Sequence, residues 1–202
     1  MIIQISHIVS LFECRGVIHV GAHHGWEYPH YKAAGLTDIV LIEPHPGNFE
    51  QLAKSVGPEC LLFNTACGSS EGALPMHVES ANMGQSCSLL KPALHLKQYP
   101  KIEFTGTIEV PVTTLDSLPI SRALYNFLSI DVQGYELEVL KGGVMMLPGI
   151  DAICCEVNRD EVYEKCARVE EIDDFLAGFG FARTITEWVG GAWGDALYMK
   201  EA

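Results

Sequence analysis

Basic residues are scarce in this chain: 13 Lys and Arg stand against 26 Asp and Glu, for a formal net charge of −13. A protein that grips nucleic acid needs clustered cations to neutralise phosphates. The few cations here are scattered, which argues against a nucleic-acid substrate. Long apolar runs are also missing, and none approaches the ~18 residues that a membrane-crossing helix requires. The seven cysteines form no Cys-x-x-Cys pair and are odd in number. That pattern speaks against a cysteine–zinc centre or a disulfide framework and fits a reducing cytoplasm. No internal repeat, linker or low-complexity segment interrupts the chain. The Gly-x-Gly-x-x-Gly fingerprint of dinucleotide binding is absent as well.

What is present is a well-mixed sequence of 202 residues, 48% hydrophobic and 19% charged, which implies one soluble globular domain over 1–202. At its start, Ile2, Ile5, Ile8, Val9 and Phe12 recur at helical spacing. With no basic leader and no small-residue cleavage site, residues 1–15 read as an amphipathic N-terminal helix packed on the domain.

The organising stretch is VIHVGAHHG at 17–25, followed by IVLIEPHPGNF at 39–49. An apolar run, a turn with two glycines, a helical segment and a second apolar run ending in Glu43 read as strand, turn, helix, strand. Glu43 lies about 20 positions after Gly21, the spacing at which an acid meets ribose hydroxyls in nucleotide-binding sheets. Expected strands are 16–20, 38–43, 61–68, 126–131, 152–157, 181–187 and 196–199. Expected helices cover 26–34, 48–55, the GYELEVLKGG segment and 169–178. Between 69 and 113 the alternation breaks into strands at 73–79 and 105–113, separated by a polar loop and a short helical piece near 91–99. An excursion of that length in a compact α/β protein usually covers an active site. The expected fold is α/β, a seven-stranded, mostly parallel sheet with helices on both faces. Its ligand crevice would lie at the carboxyl ends of the strands. Gly21, Glu43, Ala66, Asp131 and Glu156 then share one edge.

Several residues there carry possible chemistry. Asp131 ends an apolar strand, where a carboxylate is costly unless solvated, paired or functional; it reads as a helix cap or as a catalytic group. Glu156 ends the neighbouring strand and either pairs with Arg159 or joins Asp131 in catalysis as a general base. Asp131, Glu156 and Asn158 together offer three oxygen ligands to a divalent, Mg²⁺-like metal. His19 reads as a buried strand residue, whereas His23 and His24 face a ligand. His30 and His45 could serve as bases, but nothing in the sequence distinguishes them from surface histidines. Ser86 and Ser88 in the excursion loop are placed to orient a ligand, and the Trp188–Trp193 turn with Asp195 to wall a pocket or to pack on the sheet.

On VIHVGAHHG (17–25), LIEPHPGNF (41–49), SCSLL (86–90), VPVTTLDSL (110–118), YNFLSIDVQGYELEVLKGG (125–143), EVNRDEVYEKC (156–166) and WGDALYMK (193–200), the chain resembles the FkbM family of S-adenosylmethionine-dependent methyltransferases. The resemblance implies a Rossmann-like class I methyltransferase sheet with an antiparallel last strand. It implies S-adenosylmethionine as cofactor, with Gly21 and Gly25 under its methionine part, Glu43 on the ribose diol and Thr65–Ala66 beside the adenine. Ala22, His23, Pro44, Ser86, Asp131 and Val132 complete the implied cofactor set. Asp131 matches the family's acid near the transferred methyl, and the implied acceptor is a hydroxyl of a sugar, glycan or natural product. One departure stands out: many methyltransferases carry an acid two residues before the first glycine, and this chain has His19.

Two other readings account for part of the pattern. A catalytically silent cofactor-binding module would keep the fold, but the intact glycine turn, Glu43 and Asp131 count against it. An NAD-dependent oxidoreductase would need the missing third glycine.

Overall fold

The computed structural model describes residues 2–201; Met1 and Ala202, the ends of the expected domain, lie outside the described residues. The chain runs α1 (Ile5–Val9), β1 (Gly16–Val20), α2 (Tyr28–Ala33), β2 (Asp38–Ile42), α3 (Pro46–Ser55), β3 (Leu61–Phe63), β4 (Ala66–Cys67) and β5 (Gly72–Glu79). It continues through α4 (His95–Gln98), β6 (Phe104–Thr113), β7 (Phe127–Ile130), α5 (Glu136–Lys141), β8 (Ala152–Asn158), α6 (Val169–Ala177), β9 (Phe181–Val189) and β10 (Trp193–Lys200). Seven strands form one sheet in the order β3-β2-β1-β7-β8-β10-β9. Only β10 runs against its neighbours β8 and β9.

Every residue of β1, β7 and β8 is buried, as expected for strands covered on both faces, where sequence reads as a continuous apolar run. Alternate side chains feed two cores. Ile18, Val20, Leu128, Ile130, Ile153 and Cys155 face one layer; Val17, Leu41, Phe127, Ala152 and Cys154 face the other. The strand order reverses beside β1, which pairs with β2 on one side and β7 on the other. Such a switch point opens a crevice at the carboxyl ends of the strands.

Four local expectations are corrected. The stretch 61–68 is two strands in two sheets: after Phe63 the Asn64 amide donates to the carbonyls of Glu43 (2.8 Å) and Pro44 (3.2 Å). The chain thereby turns off the main sheet, and β4 joins β6 and β5 in a separate three-stranded sheet. The excursion is therefore a small sheet with a loop hung from it. The N-terminal helix is only Ile5–Val9, with Ile3, Ile5 and Ile8 buried. The helical piece near 91–99 shortens to His95–Gln98. The closing hairpin is longer than expected and turns at 190–192, so Trp188 and Trp193 are strand residues. Among the described residues, no helix is long and apolar enough to cross a membrane.

Candidate active site

The glycine turn after β1 is shaped by close approach. Gly21 has φ +85°, and a Cβ there would lie 1.8 Å from the Asp131 carbonyl oxygen. Only glycine lets the end of β1 cross the end of β7 at that distance. Gly25, at φ +79°, packs on α3, where a Cβ would meet Leu52 Cδ1 at 2.8 Å. Between them His23 adopts φ 49°, which turns its backbone N–H onto Glu43 Oε2 at 2.9 Å. The His45 N–H donates to Oε1 at 2.8 Å. Two amides thus orient a carboxylate that is 4% exposed, leaving its other lone pairs available to a ligand. Burial outweighs these hydrogen bonds and pushes the Glu43 pKa up to about 7.

At the ends of β7 and β8 a second group assembles around Gln133. This residue takes φ 56° and is followed by Gly134 at φ 102°, folding the side chain back over the sheet edge. Its Nε2 donates to Asp131 Oδ1 (2.8 Å) and to Glu156 Oε2 (2.9 Å). Its Oε1 accepts from the Tyr163 hydroxyl (2.9 Å), and its carbonyl accepts from the Ser88 hydroxyl (2.7 Å). Glu136 closes the turn by accepting from the Val132 and Gly134 N–H groups (3.1 and 2.9 Å). Burial raises the Glu136 pKa to about 7. Burial raises the Glu156 pKa well above the usual carboxylate value, with the charges of Asp131, Glu136 and Asp195 adding to the rise. Asp195, opposite Glu156 in the β8–β10 ladder, accepts from the backbone N–H groups of Ile2 and Ile3. His19 sits on the cavity wall with Nδ1 3.2 Å from the Tyr31 hydroxyl. Burial lowers its pKa and keeps it neutral.

His19, Glu43, Asp131, Gln133, Glu156 and Asp195 line one cavity of about 450 Å³, inside the ~300–1,000 Å³ of small-molecule sites. Of the residues expected at a cofactor, Gly21, His23, Glu43, Pro44, Ala66, Ser86, Asp131 and Val132 line it. Ala22, Gly25 and Thr65 are not among its lining residues. Ala22 is fully buried, with its N–H on the Ile42 carbonyl, and Gly25 packs on α3. The Thr65 hydroxyl donates to the Pro111 and Ala66 carbonyls, each at 3.0 Å, which ties it into the small sheet. Trp193 and Asp195 wall the cavity, whereas the Trp188 ring carries the Arg159 guanidinium at 3.7 Å. That stacking also takes Arg159 out of the expected pairing with Glu156. The expected metal trio does not assemble as one donor set: an amide bridges Asp131 and Glu156, and Asn158 is not among the lining residues. Among the described residues no three His, Cys, Asp or Glu side chains group as a metal site.

Residues 19–182 match the family described as the Methyltransferase FkbM domain. The chain belongs to the FkbM methyltransferase family. It is 26% identical to the 2-O-methyltransferase NoeI of Sinorhizobium fredii (strain NBRC 101917 / NGR234), over 94% of this chain and 82% of that protein. Its fold is shared by a TehB-like SAM-dependent methyltransferase from Corynebacterium glutamicum, with TM-score 0.51 and 9% identity over 100% of this chain and 89% of that one. It is also shared by the Burkholderia thailandensis 1,6-didemethyltoxoflavin-N1-methyltransferase, with TM-score 0.53 and 10% identity over 98% and 76%. As an FkbM methyltransferase the chain uses S-adenosylmethionine. The cavity fits that cofactor: a buried carboxylate with free lone pairs suits a vicinal diol, and the surrounding acids suit a sulfonium cation.

Sequence reasoning passed over Gln133, Tyr163, His95 and Tyr99. A glutamine between an acid and a glycine, in Asp-Val-Gln-Gly, was the available signal for the first. The others reach the site through loops whose positions no local pattern records.

Proposed function

We propose that this FkbM methyltransferase is an O-methyltransferase acting on a hydroxyl of a sugar, glycan or natural product. The observation that carries the reading is a single cavity joining Glu43, at the end of β2, to the Asp131–Gln133–Glu156 group at the ends of β7 and β8. The relative named as a 2-O-methyltransferase supports a hydroxyl acceptor. When bound, S-adenosylmethionine supplies a methyl group activated on a sulfonium. Glu43 holds the ribose hydroxyls, Pro44 and Ala66 flank the adenine, and Gly21, His23, Ser86 and Val132 shape the remainder of that half.

An alcohol is a poor nucleophile at neutral pH, so the chain must align it and remove its proton. Asp131 takes this proton on Oδ2, the oxygen that Gln133 leaves free. Gln133 holds the carboxylate in place through the same amide that donates to Glu156. The N-terminal segment and Trp193 wall the site against water.

The test is an acceptor screen. Purified protein, S-adenosylmethionine and a panel of methyl glycosides are assayed for S-adenosylhomocysteine release and for the mass gain of one methyl group. Asp131→Asn is expected to lower kcat by roughly 10²–10⁴-fold, the contribution of a positioned general base. Turnover at the wild-type rate in that variant removes Asp131 as the base.

A further inference from the structure

His95 has a buried ring nitrogen that finds no partner among the described residues. The segment that carries it is hooked onto the turn after β8. Ala93 and His95 donate their N–H groups to the Val162 carbonyl (3.0 and 3.1 Å), and Leu94 donates to the Glu161 carbonyl (3.1 Å). This seats the imidazole among the rings of Tyr99, Phe104 and Tyr163, with centroids 5.0, 5.5 and 5.5 Å away. His95 is 3% exposed and lines the cavity. Burial lowers its pKa, so the ring is neutral and offers one donor and one acceptor. Among the described residues its Nδ1 is buried without a partner, a state that proteins generally avoid unless a ligand completes it.

A second observation lies beside the same end of the cavity, next to a lining residue. Asn158 is 1% exposed, and both its Oδ1 and Nδ2 lack partners among the described residues. It stands directly opposite Trp193 in the β8–β10 ladder. Trp193 lines the cavity and donates its Nε1–H to the Tyr99 hydroxyl at 2.8 Å. Two unsatisfied side chains therefore adjoin the Tyr99–Trp193 pair, His95 by ring contact and Asn158 by strand pairing.

We propose that His95 is an acceptor-binding residue. Its imidazole bonds a hydroxyl of an acceptor seated against Tyr99 and Trp193, and so selects which hydroxyl is presented to Asp131. A hydroxyl both donates and accepts, matching a neutral imidazole. A phosphate or carboxylate only accepts, and would face Glu156 and Asp195 on the same wall. This assignment rests on the O-methyltransferase reading.

The experiment has two arms, so that the two readings fail separately. In the first, apo-protein melting is compared for wild type, His95→Phe and His95→Leu. A group kept for a ligand is dispensable to the fold, and Tm is expected at or above wild type in at least one variant; a fall of several degrees in both overturns the proposal. In the second, methyl β-D-glucopyranoside, methyl β-D-galactopyranoside and methyl α-D-mannopyranoside serve as acceptors. His95→Phe should raise the acceptor KM roughly 10- to 100-fold, the loss of one or two hydrogen bonds, with the S-adenosylmethionine Kd within about twofold of wild type. His95→Asn, which retains a donor and an acceptor near Nδ1, should recover part of that loss. An unchanged KM in His95→Phe overturns the proposal. If wild type binds cofactor but methylates none of these glycosides, the glycoside reading fails and the melting arm alone decides His95.

Discussion

Glu43 links pH to cofactor binding and to stability in opposite directions. Its carboxyl is raised from 4.5 to about 7 by burial. At about 1.36 kcal/mol per pKa unit, that difference is worth about 3 kcal/mol. Below pH 4.5 the group is protonated in both folded and unfolded chains, and the favourable contribution is fully present. Between 4.5 and 7 the unfolded chain releases the proton while the folded one keeps it, so stability falls as pH rises. Above about 7 the loss is complete. Cofactor binding runs the other way, because the ionised carboxylate is the better acceptor for two ribose hydroxyls. With a pKa of about 7, roughly a tenth of the protein carries the anion at pH 6 and nine tenths at pH 8, so the S-adenosylmethionine Kd should improve about ninefold over that interval. Titration calorimetry at pH 6, 7 and 8 measures it, with Glu43→Gln as the control. The variant should bind more weakly at pH 8 and lose this part of the slope, and its apo form should not share the drop in stability between pH 5 and 7. A wild-type Kd that does not change with pH, or an equal slope in Glu43→Gln, refutes the reasoning.

Other consequences are as direct. Gly21→Ala places a methyl group 1.8 Å from the Asp131 carbonyl at φ +85°; strain and clash together should cost several kcal/mol in urea unfolding and abolish cofactor binding. Gln133→Leu leaves Asp131 and Glu156 unbridged. With charge-assisted hydrogen bonds worth about 1.5–3 kcal/mol, kcat should fall roughly 10- to 100-fold while the cofactor Kd changes little, as steady-state kinetics alongside calorimetry would record. Because an amide spans the two carboxyls, a chelator should leave the rate of S-adenosylhomocysteine release unchanged; loss of turnover restored by Mg²⁺ would contradict that.

Much of this architecture is local and was legible in the chain. Strands buried on both faces are near-continuous apolar runs, so VIHV, IVLI, FLSI and AICC announced the centre of the sheet, and glycines marked where β1 must turn. The acid that closes each run followed from the same pattern, since Glu43, Asp131 and Glu156 are costly at the end of a buried strand unless they do something. The antiparallel β10 was implied by the family resemblance and appears in the strand pairing.

What remained hidden depends on groups brought together from distant parts of the chain. Residues 61–68 read as one strand because periodicity cannot register that Asn64 reaches back to the carbonyls of Glu43 and Pro44 and sends the chain into another sheet. Nothing local in Asp-Val-Gln-Gly says that the glutamine spans two carboxyls 25 positions apart, or that burial raises the pKa of Glu156. His95 was unreadable for the same reason: its place is set by hydrogen bonds to the turn after β8 and its ring packs on Tyr163 from that turn as well as on Tyr99 and Phe104. Residue pattern determined the sheet and its acids, whereas desolvation and long-range hydrogen bonding, which exist only in the folded chain, decided what each acid and histidine can do.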